Sequence, residues 1–416
     1  MRSQKLEQTS ISQFNQPKQS FIGQMTVKDI LFILALATKP LYLRASGSIQ
    51  ISEVLFVMLF GLLVFSGAPL FQSRHEAMWI AWFTICLIYQ LLINTYWYFQ
   101  LQETSISDFS LLKSCLYYVF NFLVCLSILQ LRSLKGYEYT LKLFLLGTFL
   151  SVFVSVVGVA LQYRGSGRAT GFFNNPNQLG YFCIVAMTIV TFFSKKIKPS
   201  MRLVIIVLCL GMSMISLSKA SIVASAILMF VYFINSRDRM GSAKLVSILL
   251  SILVVSITIY IIMYADWEFL NNSKIISDIR ERLGGIVTEN DSNLGTGRGY
   301  DRVKEIGNLI VIGAGEGAYF RFVSMRAREV HSLYAGFLVS YGIIGLSMLL
   351  WIVGKALFSQ KRYLRNLLSF SGIIAYCITH NGIRSTLLWA MLAMLLIRPR
   401  ESVPISAPVR QEQNAV

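Results

Sequence analysis

The chain has 416 residues, of which 55% are hydrophobic and 14% charged, and its formal net charge is +18. A soluble domain carries roughly 25% charged residues, so this composition, with a mean hydropathy of +0.60, argues against ordinary soluble domains and for a polytopic membrane protein. The positive charge does not imply a nucleic-acid partner, because the basic residues stand in short clusters between apolar runs and form no aromatic-laced basic face.

Residues 1–25 are polar and rich in Gln and Ser, as in "KLEQTSISQFNQPKQS". A cleaved leader needs a basic start followed at once by an apolar core, so this stretch reads as a disordered cytoplasmic tail. A membrane-crossing helix needs about 20 mostly apolar residues. Candidate spans centre on 26–43, 49–66, 77–94, 110–131, 141–162, 177–194, 202–217, 219–236, 243–264, 331–353, 367–380 and 384–397. The core helices of a large soluble protein would show polar faces, and runs such as "LVIIVLCLGMSMISL" show none. The expectation is an all-α polytopic membrane helical bundle of about twelve transmembrane helices. About nine of them form an N-terminal bundle over 26–264. A long external loop covers 265–330, further helices cover 331–397, and a basic cytoplasmic tail covers 398–416.

Lys and Arg in short loops set orientation. With the N-terminus inside, the inner segments hold Arg74, Arg132, Lys135, Lys195, Lys196, Lys198, Arg202, Arg237, Arg239, Lys244, Lys355, Lys361, Arg362 and Arg365, while the outer loop 95–109 holds no Lys or Arg. Both termini then come out cytoplasmic. Arg164, Arg168, Lys219, Arg384 and a cluster within 265–330 fall outside, against the rule. Long loops are largely exempt from it. Arg168 and Lys219 sit in short loops, and a bound anion would explain their retention.

Two helices are expected in the external segment. In "NNSKIISDIRERLGGIV", Ile275, Ile276, Ile279, Leu283, Ile286 and Val287 recur at helical spacing, as on an amphipathic surface helix. "GTGRGYDRVKEIGNLIVIG" suggests a second, with Tyr300, Val303, Ile306 and Ile310 on one side and Arg298 and Arg302 one turn apart on another. A solvated charged face accounts for these arginines equally well. "GAGEG" at 313–317 imitates a nucleotide loop but lacks the βαβ surroundings of one, so its glycines are read as flexible or turn-forming. In "RGSGRATGFFNNPNQLGYF", residues 164–182, Gly165, Gly167 and Gly171 permit a tight path. Asn177 can cap a helix starting near Gln178, and Pro176 suits that entry. Arg168 is left unexplained by the turn; a guanidinium grips phosphate bidentately, and Lys219 would add a compact charge.

The six cysteines, Cys86, Cys115, Cys125, Cys183, Cys209 and Cys377, all fall inside apolar runs, without C-x-x-C or ligand spacing to His. They read as buried small residues, with no disulfide framework or metal site. Of the three histidines, His75 sits beside Arg74 in an inner loop and reads as solvated. His380 ends a short span near Arg384 and reads as a capping or interfacial residue, with lining of the site cavity as the lesser alternative. His331 stands where charge stops and an apolar run begins.

"GRATGFFNNPNQLGYF", "LSKASIVASAILMF" (217–230), "GTGR" (295–298), "GAGEG" and "REVHSLYAGFLVSYGIIGL" (328–346) occur in an order and context that resembles the O-antigen ligase/polymerase superfamily, from about residue 150 onward. The resemblance implies a GT-C-like, metal-independent membrane glycosyltransferase with no cofactor. Such an enzyme works on the periplasmic or outer face of the bacterial inner membrane. It would take a glycan from an undecaprenyl-diphosphate carrier and pass it to an acceptor hydroxyl on a glycan, a lipid A core or a protein. His331 corresponds to the histidine that activates the acceptor. Arg168 and Arg298 match family arginines that hold the diphosphate. A third such arginine is replaced by Lys219 within Ser218-Lys219-Ala220, which loses the bidentate fork. Arg164, Arg302, Arg384 and Asn177 are further candidates. The family's usual His-Asn is His331-Ser332 here.

The chemistry agrees with this set. Fixed cations in a water-poor site stabilise the charge on a departing diphosphate, and a neutral imidazole suits proton removal from a hydroxyl near pH 7. A polysaccharide-lipid transporter or flippase is the competing reading. Internal repeats and acidic residues inside the membrane, expected of a proton-coupled transporter, are not evident in the sequence.

Overall fold

The computed structural model describes residues 25–44, 48–101, 110–162, 167–235, 302–316, 330–359 and 363–397, together with Gly23, Ser277 and Tyr300. The described residues contain no strand and eleven helices of more than one turn. In chain order these are α1 (Val27–Ala37), α2 (Ile51–Phe65), α3 (Arg74–Leu101), α4 (Ser110–Lys135), α5 (Tyr137–Gln162) and α6 (Pro176–Phe192). There follow α7 (Pro199–Ile215), α8 (Lys219–Asn235), α9 (Leu333–Leu357), α10 (Tyr363–Thr379) and α11 (Thr386–Leu396). They fall on eleven of the twelve expected spans. The twelfth, 243–264, lies outside the described residues, as do the expected amphipathic helix apart from Ser277, both terminal tails, Arg164 and Arg298.

Among the described residues, four helices are long and apolar enough to cross a membrane: Arg74–Gln100, Cys115–Lys135, Tyr137–Gln162 and Leu333–Leu357. The others run 11 to 17 residues, short of the roughly 20 that span a bilayer. Local chemistry sets their ends. The Thr26 amide donates to Asp29 Oδ2 at 2.8 Å and the Thr26 hydroxyl at 2.9 Å, which starts α1, and Pro40 cannot extend it. Asn175 caps α6 by accepting from the Gln178 amide, and Pro176 occupies the first helical position. The cap is therefore Asn175, two residues before the expected Asn177, because proline at the first position leaves the Gln178 amide in reach of residue 175.

α6 is buried at every residue from Leu179 to Phe192, and α11 from Thr386 to Leu396. Helices apolar on all sides belong in the middle of a bundle. α6 packs against α7, α8 and α10, and α11 against α4, α9 and α6. Toward the outside, Val54, Val57 and Met58 of α2 and Ile88 and Leu92 of α3 are exposed, as apolar side chains of helices set among lipid tails would be.

Polar contacts sort the helix ends into two groups. At one end Arg132 meets Gln72 and Glu76, Lys135 meets Asp29 at 3.5 Å, Lys196 meets Glu138 at 2.7 Å and the Arg365 guanidinium donates to Ser194. At the other, the Tyr42 amide donates to Phe172, the Ala169 amide to Ile215 and the Tyr376 hydroxyl to Asn177. The described basic residues assigned to inner loops share the first end. Arg168, Lys219, His331 and Arg384 share the second.

α9 is broken at Gly342, with φ 65° and ψ −171°. The segment 311–316 fills the break. The Ala314 amide donates to the Val339 carbonyl at 2.8 Å, Gly315 to Ser340 at 2.9 Å, and Ile344 beyond the break to Val311 at 3.3 Å. The first two glycines of "GAGEG" adopt left-handed backbone, Gly313 at φ 91° and Gly315 at φ 78°, and they build a splice between loop and helix instead of a free turn. A Cβ on Gly313 would lie 2.4 Å from the Ser340 carbonyl oxygen, so the close approach needs glycine.

The second helix expected in the loop reduces to one turn, Arg302–Glu305, and a 3-10 turn, Gly307–Ile310. Gly307, at φ 51°, ends the first turn. The expected apolar side survives without the helix: Ile306 is buried with Ala314, Val330, Ala335 and Val339, and Tyr300, Val303 and Ile310 pack against that cluster.

Candidate functional site

Arg168 follows Gly167, whose φ of 74° turns the chain toward the α7–α8 junction. The Ala169 amide donates to Ile215 at 2.9 Å, which ties this strand of chain to the end of α7. The Arg168 guanidinium donates through Nε to the Ser216 carbonyl at 3.1 Å and through Nη2 to Asn177 Oδ1 at 2.8 Å. Two acceptors on different segments thus fix its plane beside the start of α8. Asn177 thus holds the Arg168 guanidinium, while Asn175 caps α6.

Lys219 is the first residue of α8 and is partly exposed. Before it, Leu217 has φ 50°, the one non-glycine residue with positive φ among the described residues, a conformation that costs about 1 kcal/mol or more and collects at functional turns. Ser218 is 2% exposed, and its hydroxyl has no partner among the described residues. The first-turn amides of a 17-residue helix have no acceptor within the helix itself, and such helix starts are where anions bind. Arg168, Lys219, this helix start and a buried hydroxyl without a partner therefore converge on one place.

His331 is exposed, two residues before α9. Ser332 is fully buried and caps the helix, accepting from the Ala335 amide at 3.4 Å. The helix-start role that the resemblance gives to Asn thus passes to a shorter side chain. The Ser332 hydroxyl also reaches the Cys377 carbonyl at 3.5 Å, the long end of hydrogen bonding.

The last turn of α10 joins the two groups. The Tyr376 hydroxyl donates to the Asn177 carbonyl at 3.0 Å, and the next residue, Cys377, accepts from Ser332. The Arg168 and His331 segments therefore hang on consecutive residues of one helix. His380 completes this turn: its ring stacks on Tyr376 at 4.7 Å and its Nδ1 lies 3.0 Å from Thr379 Oγ1. It stands nearer the candidate site than a capping role required. Tyr181 also packs on Tyr376, as a tilted pair with ring centroids 4.7 Å apart.

Arg384 has a different setting. Its guanidinium pairs with Glu316 and lies over the Tyr117 ring, 5.3 Å from the centroid. Glu316 is 8% exposed; it accepts from the Tyr341 hydroxyl at 2.8 Å, and its amide donates to Asn94 Oδ1 at 2.8 Å. A buried carboxylate persists only when paired in this way. Glu316 is inconspicuous in the sequence, set among the glycines of "GAGEG". An acid between glycines, a lone Asn94 and a lone Tyr341 in apolar runs, and a single arginine in the α10–α11 turn were the signals. The turn at Arg302 lies within the described backbone, with its side chain outside the described residues.

A cavity of about 730 Å³ lies at the opposite end, lined by Arg74, His75, Glu76, Arg132 and Tyr137 among others and by none of the candidate site residues. All six cysteines are buried and free. Among the described residues no group of three or more His, Cys, Asp or Glu is placed to hold a metal ion. No protein-family model matches the chain, and no curated protein matches it significantly.

Proposed function

We propose that the protein is a membrane glycosyltransferase that moves a glycan from an undecaprenyl-diphosphate carrier to an acceptor hydroxyl in surface-polysaccharide synthesis, as an O-antigen ligase or repeat-unit polymerase. In this reading about twelve helices cross the bacterial inner membrane. The fold is GT-C-like, both termini are cytoplasmic, and the Arg168–His331 end faces outward. The observation that carries it is the hold on Arg168 by Ser216 and Asn177 at the start of α8, together with the Tyr376–Cys377 link to Ser332, the neighbour of His331.

Arg168, Lys219 and the α8 amides hold the diphosphate, and the family resemblance assigns Arg298, with Arg302 as a further candidate, to the same task. His331 takes the proton of the acceptor hydroxyl as its oxygen attacks the anomeric carbon. The carbon–phosphate-oxygen bond breaks, and the charge released onto the diphosphate is met by the fixed cations. Purified protein is tested with a lipid-diphosphate glycan and candidate acceptors. Native protein makes product, and His331→Ala loses a factor of about 10²–10⁴ in rate while retaining donor binding. A native rate in purified His331→Ala would falsify the base assignment.

The break in α9 and the buried Glu316 also favour a second reading, a polysaccharide-lipid transporter, because discontinuous helices with buried charge line transport paths. The same preparation in vesicles separates the two: translocation without transfer of sugar supports the transporter.

A further inference from the structure

We propose that Glu316 is a positioning residue for His331, locking residues 311–316 into the break of α9 and so fixing the half-helix whose start carries the histidine. This rests on the transferase reading of the same site. The half-helix runs only from Leu333 to Gly342, and a helix this short does not hold its direction by itself. The carbonyls at its end accept from outside α9: Val339 from the Ala314 amide at 2.8 Å, Ser340 from the Gly315 amide at 2.9 Å and Tyr341 from the Tyr89 hydroxyl at 3.1 Å.

The inserted segment is itself held at Glu316. Its amide is fixed on Asn94 of α3, its carboxylate takes the Tyr341 hydroxyl of the half-helix, and Arg384 of the α10–α11 turn pairs with it. Three elements thus meet on one residue, two of them on its side chain. Arg384 lies four residues beyond His380, whose ring supports the Tyr376 link to the Arg168 segment. A buried carboxylate in an apolar bundle is costly. A neutral amide would keep the Tyr341 contact without that cost, and only the charged group holds Arg384 as well. A rotation of the half-helix by Glu316 loss would displace the His331 imidazole, and a shift of about 1 Å lowers rate by about 100-fold.

The test is a double-mutant cycle on full-length protein in nanodiscs. Glu316→Gln lowers kcat about 10–100-fold and leaves the donor KM within about twofold. In a His331→Gly background rescued by added imidazole, the same substitution costs less than about twofold, because a free base needs no half-helix to place it. A purely structural role would lower both backgrounds by the same factor, and that result, or no loss in the native background, overturns the proposal. If Glu316→Gln does not fold, Tyr341→Phe removes one of its bonds and carries the same comparison. Transfer by His331→Gly at the native rate without imidazole would overturn the base assignment and the proposal with it, and it is read before Glu316 is touched.

Discussion

A Cβ on Gly342 would lie 2.2 Å from the carbonyl oxygen of Val311. Glycine is thus required twice at this position, once for the approach of the inserted loop and once for its φ of 65°. The break in α9 is written into the sequence at a single residue.

Gly342→Ala is expected to destabilise the protein by about 2–4 kcal/mol, from left-handed strain and the clash with Val311. The thermal midpoint in detergent measures it. Gly61→Ala is the control: it lies in α2 with nothing within 4 Å of an added Cβ, and removing a helical glycine stabilises by about 0.5–1 kcal/mol. Equal midpoints for the two variants would contradict the docked-loop geometry.

Arg168 and Asn177 are expected to act as one unit. Arg168→Ala raises the donor KM by about 10–100-fold, the scale of a charge-assisted contact, and Arg168→Lys recovers only part because the two-pronged grip is lost. Asn177→Ala has a smaller effect alone, and almost none in the Arg168→Ala background. Additive effects would show that Asn177 acts independently of the arginine. Donor titrations on the four proteins decide the matter.

His380 offers a ring, not a proton, in this geometry. Its stack on Tyr376 keeps the tyrosine hydroxyl on Asn177, and such a pair contributes about 0.5–1.5 kcal/mol. His380→Phe therefore transfers glycan within about twofold of the native rate, while His380→Ala loses stability by about 1 kcal/mol. A rate collapse in His380→Phe at an unchanged thermal midpoint would instead place the imidazole in the chemistry.

Helix placement was legible because apolar runs are long and their limits carry Pro, Gly and capping side chains, as at Asn175-Pro176. Span count was less so. Composition marks apolar segments without fixing how many residues stay helical, so 26–43 reads as a span while α1 stops at Ala37. Arg168 stood out because it broke a charge rule. Glu316 did not, because its partners Asn94, Tyr341 and Arg384 are far from it in the chain, and only the fold joins them. The loop turn around Gly307 misled for a related reason: apolar residues at helical spacing also suit two short turns packed on one surface.

Ser218 and Ser221 separate a ligand contact from a leftover hydroxyl. Both are buried, and neither hydroxyl has a partner among the described residues. Ser221 lies against α6, where a Cβ on Gly180 would come within 2.1 Å of its Oγ, whereas Ser218 stands immediately before α8. Removing an unsatisfied buried hydroxyl stabilises by about 1 kcal/mol, so both alanine variants raise the thermal midpoint of the protein without donor. They part when donor is added. Ser221→Ala keeps the full donor-induced rise in midpoint, and Ser218→Ala loses part of it with a donor affinity lower by about tenfold. An undiminished rise in Ser218→Ala would remove the hydroxyl from the diphosphate cradle and leave Arg168, Lys219 and the α8 amides to hold the anion alone.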